Sequence, residues 1–111
     1  MRFRRRGEIN FLVRRGARIR TELGRVAWAR ATQGRGRILF IVSGAVARRA
    51  ARRNRIRREL EEQARRGFAA RASRVDAVIL VDPAVAALTR SARVAAAERA
   101  LGRIAALGGR H

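Results

Sequence analysis

The apolar positions along the chain change period several times, and each change marks an element. Over residues 8–15, Ile9, Leu12 and Val13 recur at i, i+3 and i+4, one face of a helix, and Gly16 follows as a left-handed stop. Glu8 suits the positive end of that helix's dipole. Phe11 falls about half a turn off the stripe at ~100° per residue, which marks it as a contact with something outside the core. Residues 17–31 alternate loosely, Ile19, Thr21 and Leu23 and then Val26, Trp28 and Arg30, the two-residue period of strands. Gln33-Gly34-Arg35-Gly36 supplies a turn. Residues 37–43 (RILFIVS) are apolar on both faces, which predicts a strand in the middle of a sheet. From 45 to 66 the helical period returns, with Ile56, Leu60 and Ala64 at i, i+4 and i+8. A basic loop over 67–74 leads to a strand over 75–82. Asp82-Pro83 then offers an N-cap and a first-turn proline, and the last helix runs to about Leu107, where Gly108-Gly109 stop it. Its inner face is Val94, Ala97, Leu101, Ile104 and Ala105. The order helix, strands, helix, strand, helix predicts an α+β fold, a two-layer α-β sandwich.

At 111 residues the chain has room for one domain with one modest core, residues 1–7 reading as a mobile basic arm and 108–111 as a frayed tail. The net charge of +20 comes entirely from arginine, with no lysine. Self-repulsion on that scale calls for a polyanionic partner. Guanidinium forks meet phosphate two-pronged and stack on bases, as ammonium does not. Without cysteine there is neither a disulfide framework nor a thiolate metal site. The basic N-terminus lacks a following apolar stretch and so is no secretory signal. The longest near-continuous apolar run, 38–47, is about half of what a membrane span needs. A cytoplasmic protein is expected.

Chemistry by the chain's own side chains is disfavoured. With no Cys, no Tyr and one His, at position 111, the usual nucleophile–base pairs are missing. Glu59, Glu61 and Glu62 stand among arginines on one helix and are expected to pair with them, Glu61 with Arg57, Arg58 or Arg65, rather than hold a metal. Gln33-Gly34-Arg35-Gly36 lacks the Lys-Ser/Thr of a P-loop.

Binding is better supported. Residues 48–58 hold seven arginines around Asn54, and the first half of that helix has no acid to compensate them. Arg48, Arg49, Arg53, Arg55, Arg57 and Arg58 are the expected nucleic-acid contacts. Asn54 both donates and accepts, which suits a base edge or a 2′-hydroxyl. A membrane-surface helix would carry bulky apolar residues opposite the charge, and this one does not.

The segment Arg53-Asn54-Arg55-Ile56-Arg57-Arg58 resembles the RNRIKR signature of the bacterial ribonuclease P protein subunit, and Glu62 falls where that family carries a Glu. Arg48-Arg49-Ala50 resembles the family's basic-basic-Ala step, and Arg37-Ile38 with Val42-Ser43 its preceding strand. Residues 8–16 are similar to its acidic-Phe-x-x-Val-aromatic-basic-basic-Gly opening, with Ile9 and Val13 in place of the aromatics. Val78-Ile79-Leu80-Val81 and the last helix match its C-terminal pattern. Gly44 and Ala45 stand where the family usually has two lysines, and Glu61 where it usually has Arg.

The resemblance implies a left-handed βαβ crossover carrying the basic helix. It also implies a protein that is monomeric within a ribonucleoprotein. Its partners would be the ribonuclease P RNA and precursor tRNA, with no membrane. The RNA, with bound Mg²⁺, would cut the 5′ leader, and this chain would hold the leader in a cleft, for which Phe11 and Trp28 are the aromatic candidates. The alternative is a structural RNA-binding protein, ribosomal or ribosome-associated, with no part in cleavage. A DNA-compacting role is disfavoured by the Asn-centred cluster.

Overall fold

A computed structural model of the chain describes residues 6–31, 36–68 and 74–108. Residues 1–5 of the basic arm expected over 1–7, most of the turn at 33–36, the body of the loop over 67–74 and the tail beyond Gly108 lie outside them, and residues 6 and 7 belong to the first helix.

The elements follow the predicted order. Helix α1 (Arg6–Arg15) precedes the hairpin of β1 (Ala17–Thr21) and β2 (Gly24–Arg30); β3 (Ile38–Ile41) and α2 (Ala50–Gln63) come next. A π-helical turn (Ala64–Phe68), β4 (Val75–Val81), a 3-10 turn (Pro83–Ala87) and α3 (Arg90–Leu107) complete the chain. The sheet order is β1-β2-β4-β3, with β4 antiparallel to β2 and parallel to β3. Helix α2 therefore lies on the crossover from β3 to β4. The hairpin closes where Thr21 Oγ1 accepts from Leu23 N and donates to Gly24 O. Gly24 has φ of 136°, and a Cβ there would stand 2.1 Å from Leu80 O, so only glycine fits the corner.

Residues opposite one another in the register share a face. One face carries Val26, Ile79 and Phe40 and packs against α2 and α3, whose Ile56, Leu60, Ala97, Leu101 and Ile104 complete the main core. Each large side chain buried there contributes about 2 kcal/mol. The other face carries Ala27 and Val78, which are buried together with Leu12 of α1. Helix α1 thus lies across part of the sheet opposite α2 and α3.

Four local expectations change. The run 37–43 is an edge strand, and β2 and β4 are the inner ones; β3 reads as apolar throughout because Phe40 enters the main core while Leu39 and Ile41 stand half-buried on the α1 face. Helix α2 starts at Ala50 rather than 45, because Val46 N bonds Ser43 O at 3.0 Å and the chain turns there. Asp82 is a cap as predicted, accepting from Ala84 N at 2.9 Å, but it starts only the 3-10 turn; Thr89 caps α3, accepting from Ala92 N. Gly16 does not end α1 in a left-handed conformation. It is needed because a Cβ would meet Leu12 O at 2.5 Å and Trp28 O at 2.9 Å.

Candidate nucleic-acid interface

Ile56 and Leu60 anchor α2 to the core, which turns the opposite side of the helix to solvent. Asn54, Arg55 and Arg58 are exposed, and Asn54 and Arg58, at i and i+4, share the outer face. Arg48 and Arg49 are exposed in the bend that leads into the helix. Arg49 is the N-cap residue and caps with no side-chain hydrogen bond, and the first turn has no acid. Positive side chains therefore crowd the positive end of the helix dipole, where a phosphate is favoured and a cation is not.

The seven arginines divide by what they touch. Arg52 Nη2 donates to Ala86 O at 2.7 Å, tying α2 to the 3-10 turn. Arg53, half-buried, donates through Nη1 to Ala47 O at 3.0 Å and Arg48 O at 2.7 Å. Arg57 pairs with Glu61 across 3.5 Å, one of the three partners expected for that acid. Arg48, Arg49, Arg55 and Arg58 have no carboxylate partner among the described residues.

The other acids of α2 are engaged as well. Glu59 receives Arg93 of α3 at 2.8 and 3.2 Å in a largely buried pair, and Arg93 also donates to Leu88 O at 2.7 Å. This fixes α2 against α3. Glu62 receives both Arg65 and Arg66, and the hydrogen bond from Arg65 holds its carboxyl below the usual carboxylate range. Among the described residues no three acidic or histidine side chains converge where a metal ion could sit.

A second surface lies on the α1 side of the sheet. Arg37 donates to Asp76 through its backbone N at 2.9 Å, through Nε at 3.2 Å and through Nη2 at 2.8 Å, and to Glu8 of α1 through Nη1 at 3.0 Å. Asp76 is only 8% exposed, and its hydrogen bonds hold the Arg37 guanidinium more firmly protonated. This clamp fixes one end of α1 over β3 and β4. The row Arg20, Arg25, Leu80 and Ile41 across β1, β2, β4 and β3 remains open, with Leu80 43% exposed. At ~100° per residue, half-buried Ile9 and Val13 lie on the flank of α1 away from Glu8, toward that row.

Phe11 and Trp28 do not line one cleft. Phe11 is 63% exposed on the flank of α1 that also carries Glu8. Trp28 stands opposite Ala77, on the face packed against α2 and α3, with its indole N–H buried and unpaired. Val26 and Trp28 are two apart in one strand and must share a face; that spacing was the signal for placing the tryptophan in the core. The open row was signalled only by its partners in the register, which no single strand displays.

Among the described residues no helix is long and apolar enough to cross a membrane. A family model described as Ribonuclease P matches residues 1–105. The RNase P protein from Thermotoga maritima is similar in structure at a TM-score of 0.79 and 19% identity, over 94% of this chain and 97% of that one. A Staphylococcus aureus RNase P protein mutant with defective mRNA degradation activity is similar at a TM-score of 0.76 and 18% identity, over 92% and 86%. No curated protein matches the sequence.

Proposed function

The chain belongs to the ribonuclease P protein family, and on that premise we propose that it is the protein subunit of a ribonuclease P, assisting endonucleolytic removal of the 5′ leader from precursor tRNA. The observation that carries this reading is the group Arg48, Arg49, Arg55 and Arg58, the first two exposed at the uncapped positive end of α2 and the others along the helix, without carboxylate partners among the described residues. Four guanidinium groups there are stabilised by polyanion and by little else. They bind phosphates of the catalytic RNA, and Asn54 beside Arg58 reads a base edge or 2′-hydroxyl.

The leader lies along the open row of the sheet. Single strands need surfaces for bases and charge for phosphates. Leu80, Ile41, Ile9 and Val13 offer the first, and Arg25 offers the second; Arg20, directly opposite it, is paired with Asp82 at 3.3 Å. Trp28 has no part in this, since it faces the core. The hydrolytic chemistry comes from the RNA and the Mg²⁺ it binds; this chain screens phosphates and orients the substrate. The reading includes a left-handed β3–α2–β4 crossover and one protein copy in a cytoplasmic ribonucleoprotein.

Reconstitution tests it. The purified protein, mixed with the ribonuclease P RNA of the same organism, is expected to stimulate precursor-tRNA cleavage at Mg²⁺ concentrations where the RNA alone is slow. Tight RNA binding with no stimulation would favour a structural RNA-binding role instead.

A further inference from the structure

The arginines of the basic segment are not equivalent. We infer that Arg53 is a positioning residue, acting through Arg48 and Arg49 rather than by touching RNA; the inference rests on the RNA-binding reading above. Arg53 sits one turn after the N-cap, and its N–H bonds Arg49 O at 3.0 Å. Helical side chains lean toward the N-terminus, so its guanidinium lies over the preceding bend. Both hydrogens of Nη1 are spent there, on Ala47 O at 3.0 Å and Arg48 O at 2.7 Å.

Those carbonyls belong to the stretch between the turn at Ser43 and the first residue of α2, where no ladder supplies donors. Ala47 is buried, so its carbonyl is costly to leave without a partner. Arg49 contributes no side-chain cap. Arg53 thus ties the preceding bend to the first turn of the helix by donating to its carbonyls. It fixes the backbone from which Arg48 and Arg49 project, and this lowers the ordering cost of meeting phosphate. Its half-buried position contrasts with the exposure of Arg48, Arg49, Arg55 and Arg58.

A double-mutant cycle separates the two roles. Four proteins are compared for equilibrium binding to the ribonuclease P RNA of the same organism: wild type, Arg53→Met, the pair Arg48→Ala with Arg49→Ala, and all three changes together. Methionine keeps much of the packing of the stem and removes every donor; thermal melting checks that each variant folds. Arg53→Met is expected to weaken binding about fivefold in the wild-type background and less than about twofold when Arg48 and Arg49 are already alanine. An equal loss in both backgrounds would overturn the inference, since it would mean that the remaining Nε–Nη2 edge meets RNA directly or that the change loosens the whole helix. Should Arg53→Met not fold, Arg53→Gln takes its place in the same cycle with the same two outcomes. Failure of the wild-type protein to bind this RNA would instead overturn the parent reading, and the inference with it.

Discussion

Arg58 and Arg53 are five residues apart on one helix and face opposite demands. Arg58 is exposed and touches no acid among the described residues, so its charge serves a partner. Replacing it by alanine is expected to leave melting unchanged and to weaken RNA binding by about 1–3 kcal/mol, with the salt dependence of log K reduced by about one unit of slope. Titrations at several salt concentrations check this; an unchanged slope would mean that Arg58 meets no phosphate. Local pairings at this scale were legible. Glu61 with Arg57 follows from helical spacing, and Asp82 before Pro83 from capping chemistry. The turning back of Arg53 was not legible, because it depends on where α2 begins, and five residues read as helix are spent on a turn and a bend.

Between elements, the contact that matters most for the second surface is the clamp of Arg37 with Asp76 and Glu8. It joins β3, β4 and α1, and so sets how far the helix covers the sheet. Asp76→Ala would leave a half-buried guanidinium without its main partner and is expected to cost about 3 kcal/mol of stability, read from urea denaturation. A loss below ~1 kcal/mol would show that the Arg37–Asp76 pair adds little to stability. Strand and helix types were legible from period throughout. Strand order was not: the run 37–43 looks central because it is apolar on both faces, whereas β4, an inner strand, spends Asp76 on the clamp and so breaks its own apolar run. The last helix divides at Leu88 for a similar reason. Its carbonyl is taken by Arg93 and its neighbour Thr89 becomes the cap, and neither contact shows in an apolar stripe.

Across the whole molecule, a net charge of +20 is carried on a fold whose core is ordinary in its apolar content. Among the described residues every acid except the exposed Glu98 is engaged within the protein, in pairs such as Glu59 with Arg93 and Glu22 with Arg99. Charge without a carboxylate partner among the described residues is left on the outer face of α2 and at Arg25 of the hairpin, whose neighbour Arg20 is paired with Asp82. The chain has no cysteine, so a single one introduced at a chosen site can carry a photo-activated crosslinker without competition. Asn54→Cys places it on the outer face of α2, and Glu98→Cys on the exposed side of α3. Irradiated with the ribonuclease P RNA, the protein labelled at position 54 should crosslink strongly and that labelled at 98 weakly. Equal yields, or a preference for position 98, would contradict the assignment of α2 as the surface that grips RNA.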